Sequence, residues 1–246
     1  MPQIISILNH KGGTGKTTTT VNLGAALNRL GFSTLVIDMD PQANLSQSLG
    51  VEDASTTITE LFSAQIDRLP IVNVKEQFDL VPASLQLSAI EPALYSNIKS
   101  YLMLKKHLDV TRDNYDFILI DCPPSLGILT QNALIASNNV LITVQSQYLA
   151  LKGLETVYGL IASIRENLNP SIDVLGILIT QVNHTRLSRE ISENLRATFK
   201  DKVFNTYIRQ SVSLAEASLH RMDVFGYSPD SFGALDYLQL ANEIIE

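Results

Sequence analysis

The sequence predicts an α/β fold, a doubly wound and mainly parallel sheet with helices on both faces. Three observations carry that expectation. Strand-like and helical segments alternate along the chain, the order in which parallel strands are joined by helical crossovers. The runs Ser33–Ile37 and Phe117–Ile120 read as buried strands and lead into Asp38 and Asp121. A glycine-rich loop joins the first strand to the first helix.

Taken in order, Gln3–Leu8 reads as a strand, and Thr17–Leu30 as a helix with apolar Val21, Leu23, Ala26, Leu27 and Leu30. A strand follows at 33–38, and Gly50 is placed to end a helix before it. The stretch from Glu52 to Arg68 is the least patterned and is expected to be a peripheral insertion, helical or irregular over 56–66. Next come a short strand at 78–82, a helix over 97–112, a strand at 116–121, a helix over 126–136 and a strand at 138–144. The chain continues with a helix at 150–167, a strand at 172–180, a helix at 187–199, an extended piece at 203–208 and a helix at 233–246. There is no internal repeat or low-complexity tract. A chain of 246 residues that is 45% hydrophobic can bury one sizeable core, so a single domain over 1–246 is expected.

The loop Asn9–Thr18 reads Asn-His-Lys-Gly-Gly-Thr-Gly-Lys-Thr-Thr. Gly12, Gly13 and Gly15 let the backbone curl so that successive N–H groups and the following helix dipole face the oxygens of a nucleotide triphosphate. The binding stretch is Lys11, Gly12, Gly13, Thr14, Gly15, Lys16, Thr17 and Thr18. Lys16 is placed to bridge the β- and γ-phosphates and the Thr17 hydroxyl to ligate Mg²⁺. In an open parallel sheet the crevice lies beyond the carboxyl ends of the strands, so Asp38, Asp40 and Asp121 should face those phosphates. A lone strand-end Asp is better read as a cap or a surface group. Following a P-loop and a second acidic strand end, Asp121 reads as the Mg²⁺-holding Walker B residue.

The usual eight-residue loop pattern begins with glycine, whereas His10 stands there. The loop Lys-Gly-Gly-x-Gly-Lys-Thr, together with Asp38-Met-Asp-Pro-Gln42 and Asp121-Cys-Pro-Pro-Ser-Leu-Gly127, resembles the deviant Walker A loop and two switch segments of the ParA/MinD (Soj-like) P-loop ATPases. The resemblance implies a slow ATPase that forms a homodimer around ATP and Mg²⁺, with Lys11 acting on the nucleotide of the opposite subunit, comparable in role to an arginine finger. It implies that Asp40 orients or polarises the attacking water and that Asp38 supports the Mg²⁺ shell. Asn183, at the end of the strand Ile177–Val182, stands where family members contact adenine; a turn asparagine is the other reading.

Net charge is −7, which argues against nucleic-acid binding through the whole surface but leaves room for a local basic patch. From His184 to Arg221 seven bases face four acids, a balance of +3 against −10 elsewhere. From charge alone this is either a phosphate-binding face or a solvated helix face with pairs such as Arg189–Glu193. The resemblance favours non-specific DNA, with Arg186, Arg189, Arg209 and Arg221 as candidates. Ser213 and Arg209 depart from the family, which has arginine and proline there. The same resemblance implies plasmid or chromosome partition or cargo positioning, stimulation by a ParB-like partner, and a cytoplasmic protein that is nucleoid-associated when ATP-bound.

Cys122 is the only cysteine, so an internal disulfide or a thiolate metal cage cannot form and a reducing cytoplasm is the simplest setting. The related nitrogenase iron protein needs two cysteines per subunit for its cluster. No apolar run approaches ~20 residues, so no transmembrane span or signal peptide is expected. No helix-turn-helix module is expected ahead of the loop. The C-terminal helix carries Asp236, Glu243 and Glu246 and no lysine or arginine, opposite in sign to what anionic lipid attracts. That disfavours one alternative, a MinD-like membrane-associated ATPase. The other alternative is a metabolic P-loop enzyme related to dethiobiotin synthetase.

Overall fold

The computed structural model describes residues 2–146 and 150–246. Its strands are β1 (Gln3–Leu8), β2 (Thr34–Asp38), β3 (Val72–Lys75), β4 (Phe78–Val81), β5 (Phe117–Asp121), β6 (Asn139–Gln145), β7 (Asp173–Val182) and β8 (Val203–Arg209). The helices are α1 (Lys16–Arg29), α2 (Asn44–Ser48), α3 (Ile58–Phe62), α4 (Gln86–Leu94), α5 (Met103–Leu108), α6 (Ile128–Ala136), α7 (Ala150–Asn167), α8 (Arg186–Phe199), α9 (Val212–Leu219), α10 (Val224–Tyr227) and α11 (Phe232–Ile245). All eight strands form one sheet in the order β3-β4-β2-β5-β1-β6-β7-β8. Every pairing is parallel except β3 with β4.

Alternate residues of each central strand feed two separate apolar layers. Ile4, Leu35, Ile37, Ile118 and Ile120 pack with α6 and α7, while Ile5, Ile7, Val36, Phe117 and Leu119 pack with α1 and α11. Burial on both faces is why these strands read as unbroken apolar runs. Gly24 lets α1 lie against the sheet, because a Cβ there would stand 2.9 Å from both Phe78 and Val36. The connection from β1 runs to β2 on one side and that from β5 runs to β6 on the other, so the crevice opens above the carboxyl ends of these two neighbouring strands.

Five elements were not legible: α2, β3, α4, α9 and α10. The helix expected over 97–112 is broken into a 3₁₀ turn at Ile98–Leu102, α5, and a second 3₁₀ turn at Arg112–Asn114. α4 carries Pro92 inside it, which hides a helix from pattern reading. Among the described residues no helix is long and apolar enough to cross a membrane.

The acidic face of α11 has a structural use. Opposite Ile177 and Ile179 of β7, β8 places Val203 and Tyr207, so β8 carries two extra residues and bulges. Asn205 N and Thr206 N donate to Glu243 Oε1 and Oε2 at 2.6 and 2.8 Å, and Arg209 N donates to Asp236 Oδ2 at 2.9 Å. The exposed edge of the sheet is thereby covered by carboxylates instead of being open to another strand.

Burial would raise the Glu243 pKa, but the hydrogen bonds from Thr206 and Asn205 outweigh it and hold the carboxyl below its usual range. A folded-state pKa below the unfolded one adds stability above the unfolded value, about 4.3, and that stability is lost as pH falls through the folded pKa. Glu243→Ala is therefore expected to cost about 1–2 kcal/mol at pH 7. Thermal unfolding followed from pH 7 to below 4 checks this, because the gap to the parent protein should narrow with acid.

Candidate active site

After β1 the chain curls over the sheet's carboxyl edge and enters α1 at Lys16. Gly13 and Gly15 hold φ of +75° and +86°, a region open to glycine at little cost. No side chain caps α1, so the amides of its first turn are left for a ligand. Strands remote in sequence brace the loop. Asn9 donates to Thr143 O and accepts from Lys11 N. Thr14 Oγ1 lies 3.0 Å from Thr143 Oγ1, and Thr180 Oγ1 donates to Thr14 O at 2.8 Å. His10 Nδ1 lies 3.1 Å from Pro124 O, tying the loop to the turn after β5.

The cavity above the loop has a volume of about 760 Å³ and is lined by Gly12, Gly13, Gly15, Lys16, Thr17, Thr18 and Asp40, among others. Lys16 is buried, and its Nζ donates to Lys11 O at 3.3 Å. Burial lowers its pKa, while Asp121, Cys122 and Asp40 act in the opposite sense. Lys11 is exposed, with Nζ 3.4 Å from Gln145 Oε1. Asp40 is buried and accepts from Gln42 N at 2.9 Å.

Asp38 and Asp121 are register partners on β2 and β5, both fully buried. Asp38 accepts from Ser46 N, Ser46 Oγ and Asp40 N at 3.0, 2.7 and 3.1 Å. Both of its oxygens are engaged, so it anchors α2 and Asp40. Burial raises its pKa to about 6 in spite of those hydrogen bonds. Asp121 Oδ2 accepts from the Thr17 hydroxyl at 2.7 Å, whereas Oδ1 is buried with no partner among the described residues. Burial, and after it the charge of Asp38, pushes the Asp121 carboxyl far above its usual pKa. A hard, oxygen-preferring cation suits this unpaired oxygen beside a hydroxyl, so Thr17 and Asp121 fit Mg²⁺.

Two further residues of the site escaped sequence reading. Gln181, at φ +54°, stands where β7 falls out of register with β8; a bulge of this kind re-aims a side chain. Its amide donates to Gly13 O at 2.9 Å and accepts from Gln145 Nε2 at 2.9 Å, and Gln145 also donates to Gly13 O. The pair supports the loop and meets Lys11. An amide at the end of an apolar strand was the available signal, but the bulge that aims it was not.

The structure does not bring Asn183 to the loop. Its side chain accepts from Thr185 N and Thr185 Oγ1 at 3.1 and 2.6 Å, just ahead of α8. It lines a separate cavity of about 710 Å³ with Arg189, Arg196, Tyr207, Arg209 and Phe232. A third cavity, about 540 Å³, adjoins Gly15 and Thr18 and is lined by Thr180, Gln181, Gln210, Ser211 and Leu214.

The four arginine candidates have different surroundings. Arg186 is 93% exposed and pairs with Glu190 at 2.8 Å. Arg189 makes no ion pair among the described residues, so the Arg189–Glu193 pair does not form. Arg209 is tied to the buried carboxylate of Asp236 and lies 4.1 Å from the centre of the Phe232 ring. Arg221 lines the loop cavity and pairs with Glu52 at 3.0 Å.

A strand, a glycine-rich turn and an uncapped helix, with acidic strand ends beside them, define a P-loop nucleotide-binding protein. Residues 2–174 match the family model described as an AAA domain. The sporulation initiation inhibitor protein Soj of Bacillus subtilis is 41% identical over 99% of this chain and 98% of its own. The chromosome-partitioning ATPase Soj of Treponema pallidum is 39% identical over 100% of this chain and 98% of its own. A structure of cobyrinic acid a,c-diamide synthase from Mycobacterium smegmatis with bound ADP and magnesium superposes with a TM-score of 0.86, covering 98% of this chain and 93% of its own at 29% identity. The chain belongs to the Soj/ParA family of P-loop partition ATPases.

Removing the unpaired buried charge should separate stability from binding. Asp121→Asn is expected to stabilise the free protein by on the order of 1 kcal/mol while abolishing any gain in thermal stability from Mg²⁺ with nucleotide. Thermal melts with and without MgADP check both halves.

Proposed function

We propose that this protein is an ATP-hydrolysing partition switch. It closes as a dimer over ATP, holds DNA non-specifically in that state and lets go after slow hydrolysis. The observation that carries the reading is the division of labour between the two lysines: Lys16 is buried in the cavity wall while Lys11 lies exposed beside it. A buried ammonium on the loop serves the subunit's own phosphates, and an exposed one is available to a facing subunit. When bound, Mg²⁺ supplies positive charge that neutralises the phosphate oxygens, with Thr17 and Asp121 holding it. The loop amides and Lys16 orient the triphosphate, and Asp40, fixed through Asp38, holds the attacking water. Lys11 of the opposite subunit stabilises charge that develops on the transferred phosphoryl group.

Adenine is assigned to the cavity beside Thr18, where Gln181 and Gln210 offer amide donors and acceptors. DNA is assigned to the outer face of α8, where Arg186 and Arg189 are exposed and Arg196 lies nearby. Affinity there would come from counterion release and fall with salt. A ParB-like partner is inferred as the activator, the protein acting in the cytoplasm and on the nucleoid when ATP-bound. The membrane alternative loses support because Ala234, Tyr237, Leu240, Ala241 and Ile244 of α11 are buried in the core. A small-molecule synthase, like the cobyrinic acid a,c-diamide synthase of Mycobacterium smegmatis, ranks below partition because the Soj proteins match at higher identity over the same length.

Measuring DNA retention with ADP, ATP and a non-hydrolysable analogue across a salt series tests the reading. Retention is expected only with the triphosphates, lost in Lys16→Ala and prolonged in Asp40→Ala. Lys11→Ala should keep nucleotide binding by the monomer yet slow hydrolysis by about 10³, as loss of a trans-acting cation does. Equal DNA binding with and without nucleotide would reject the proposal.

A further inference from the structure

Arg221 entered as a DNA candidate, but the fold places it on the wall of the loop cavity, together with Lys16, Thr17 and Asp40. Its backbone is unusual. Arg221 N donates to Ser218 O and Met222 N to Ala217 O, at 3.0 and 3.1 Å, closing the end of α9, and Arg221 itself holds φ +59°. That position normally belongs to glycine. A long side chain there is strained, and strained residues gather where function retains them.

Across the cavity mouth stands Glu52, just beyond α2, whose carboxylate accepts from the Arg221 guanidinium at 3.0 Å. The side chains are 61% and 38% exposed, and a pair as open as this adds little stability. Ser48 and Ser218, 2.7 Å apart, join the same two walls, so the backbone of Arg221 is held at the rim independently of its pair with Glu52. A planar fork of five donors is well suited to phosphate oxygens.

We propose that Arg221 is a cation of the nucleotide site supplied by the subunit's own chain, and that Glu52 competes with the phosphates for it. The pair thus sets nucleotide affinity: a polyphosphate draws the guanidinium off a single carboxylate, and Glu52 weakens binding by the work of that exchange. The inference rests on the ATP-binding reading above and adds a residue outside the loop and the acidic strand ends.

The two partners should act in opposite senses. With the purified full-length chain and fluorescent ATP and ADP analogues in a salt series, Arg221→Ala is expected to weaken ATP binding about fivefold or more and to flatten its salt dependence. Glu52→Gln should tighten binding about two- to fivefold, and the double variant should behave like Arg221→Ala. Arg221→Gly separates folding from binding: it relieves the backbone, so its melting temperature should rise while its nucleotide affinity falls. Shifts of the same sign in Arg221→Ala and Glu52→Gln, or no shift in either, overturn the inference. If nucleotide binds and is lost in Lys16→Ala, such a result leaves the ATPase reading standing; if the parent protein binds no nucleotide, both fall.

Discussion

The constraint on which the site depends is the burial of one ammonium group among three carboxylates. Lys16, Asp38, Asp40 and Asp121 are all shielded from water at neighbouring strand ends. Burial pushes the Asp38 and Asp121 carboxyls up and the Lys16 ammonium down. Three acids and one base leave an excess of negative charge, and one oxygen of Asp121 lacks a partner. The unpartnered oxygen suits a divalent cation, whose charge offsets that of the carboxylates around it. Free energy that denser pairing would have given to stability is held at the place where chemistry needs it.

Around that cluster the fold builds support from outside inward. Thr143, Gln145, Thr180 and Gln181 come from the carboxyl ends of β6 and β7, and each bonds to the P-loop. The loop is therefore not a free ribbon. Its shape is held by strands that are in place only once the whole sheet has formed, so binding geometry and global folding are linked. His10, which takes the position of the missing first glycine, contributes by meeting the carbonyl of Pro124 and joins the loop to the switch after β5.

Charges that look alike in the sequence have unlike tasks in the fold. The acids of α11 suggested only a surface repelled by lipid, yet Asp236 and Glu243 take up backbone amides of the β8 edge. Arg209 is bound to Asp236 and stacked on Phe232, which makes it a clamp between β8 and α11. Arg221 belongs to the nucleotide cavity. Of the basic excess between His184 and Arg221, Arg186 and Arg189 on α8 and Lys200 and Lys202 just beyond it face solvent.

The chain by itself determined the parallel α/β architecture, the loop and the two acidic strand ends, because these are written in local patterns: unbroken apolar runs, glycine spacing, and a carboxylate where each run stops. The helices α2, α4 and α9 were not legible, since they are short or carry Pro92, and tertiary packing decides them. What the tertiary structure alone decided is which polar side chain faces which partner. Gln181 reaches the loop through a bulge in β7, Asn183 turns away two residues later, and Asp38 spends both oxygens on α2 and Asp40. The aim of Gln181 depends on a register shift and on Gly13, 168 residues away in sequence, while Asp38 and Asn183 are turned by hydrogen bonds to near neighbours, and neither leaves a mark in local periodicity.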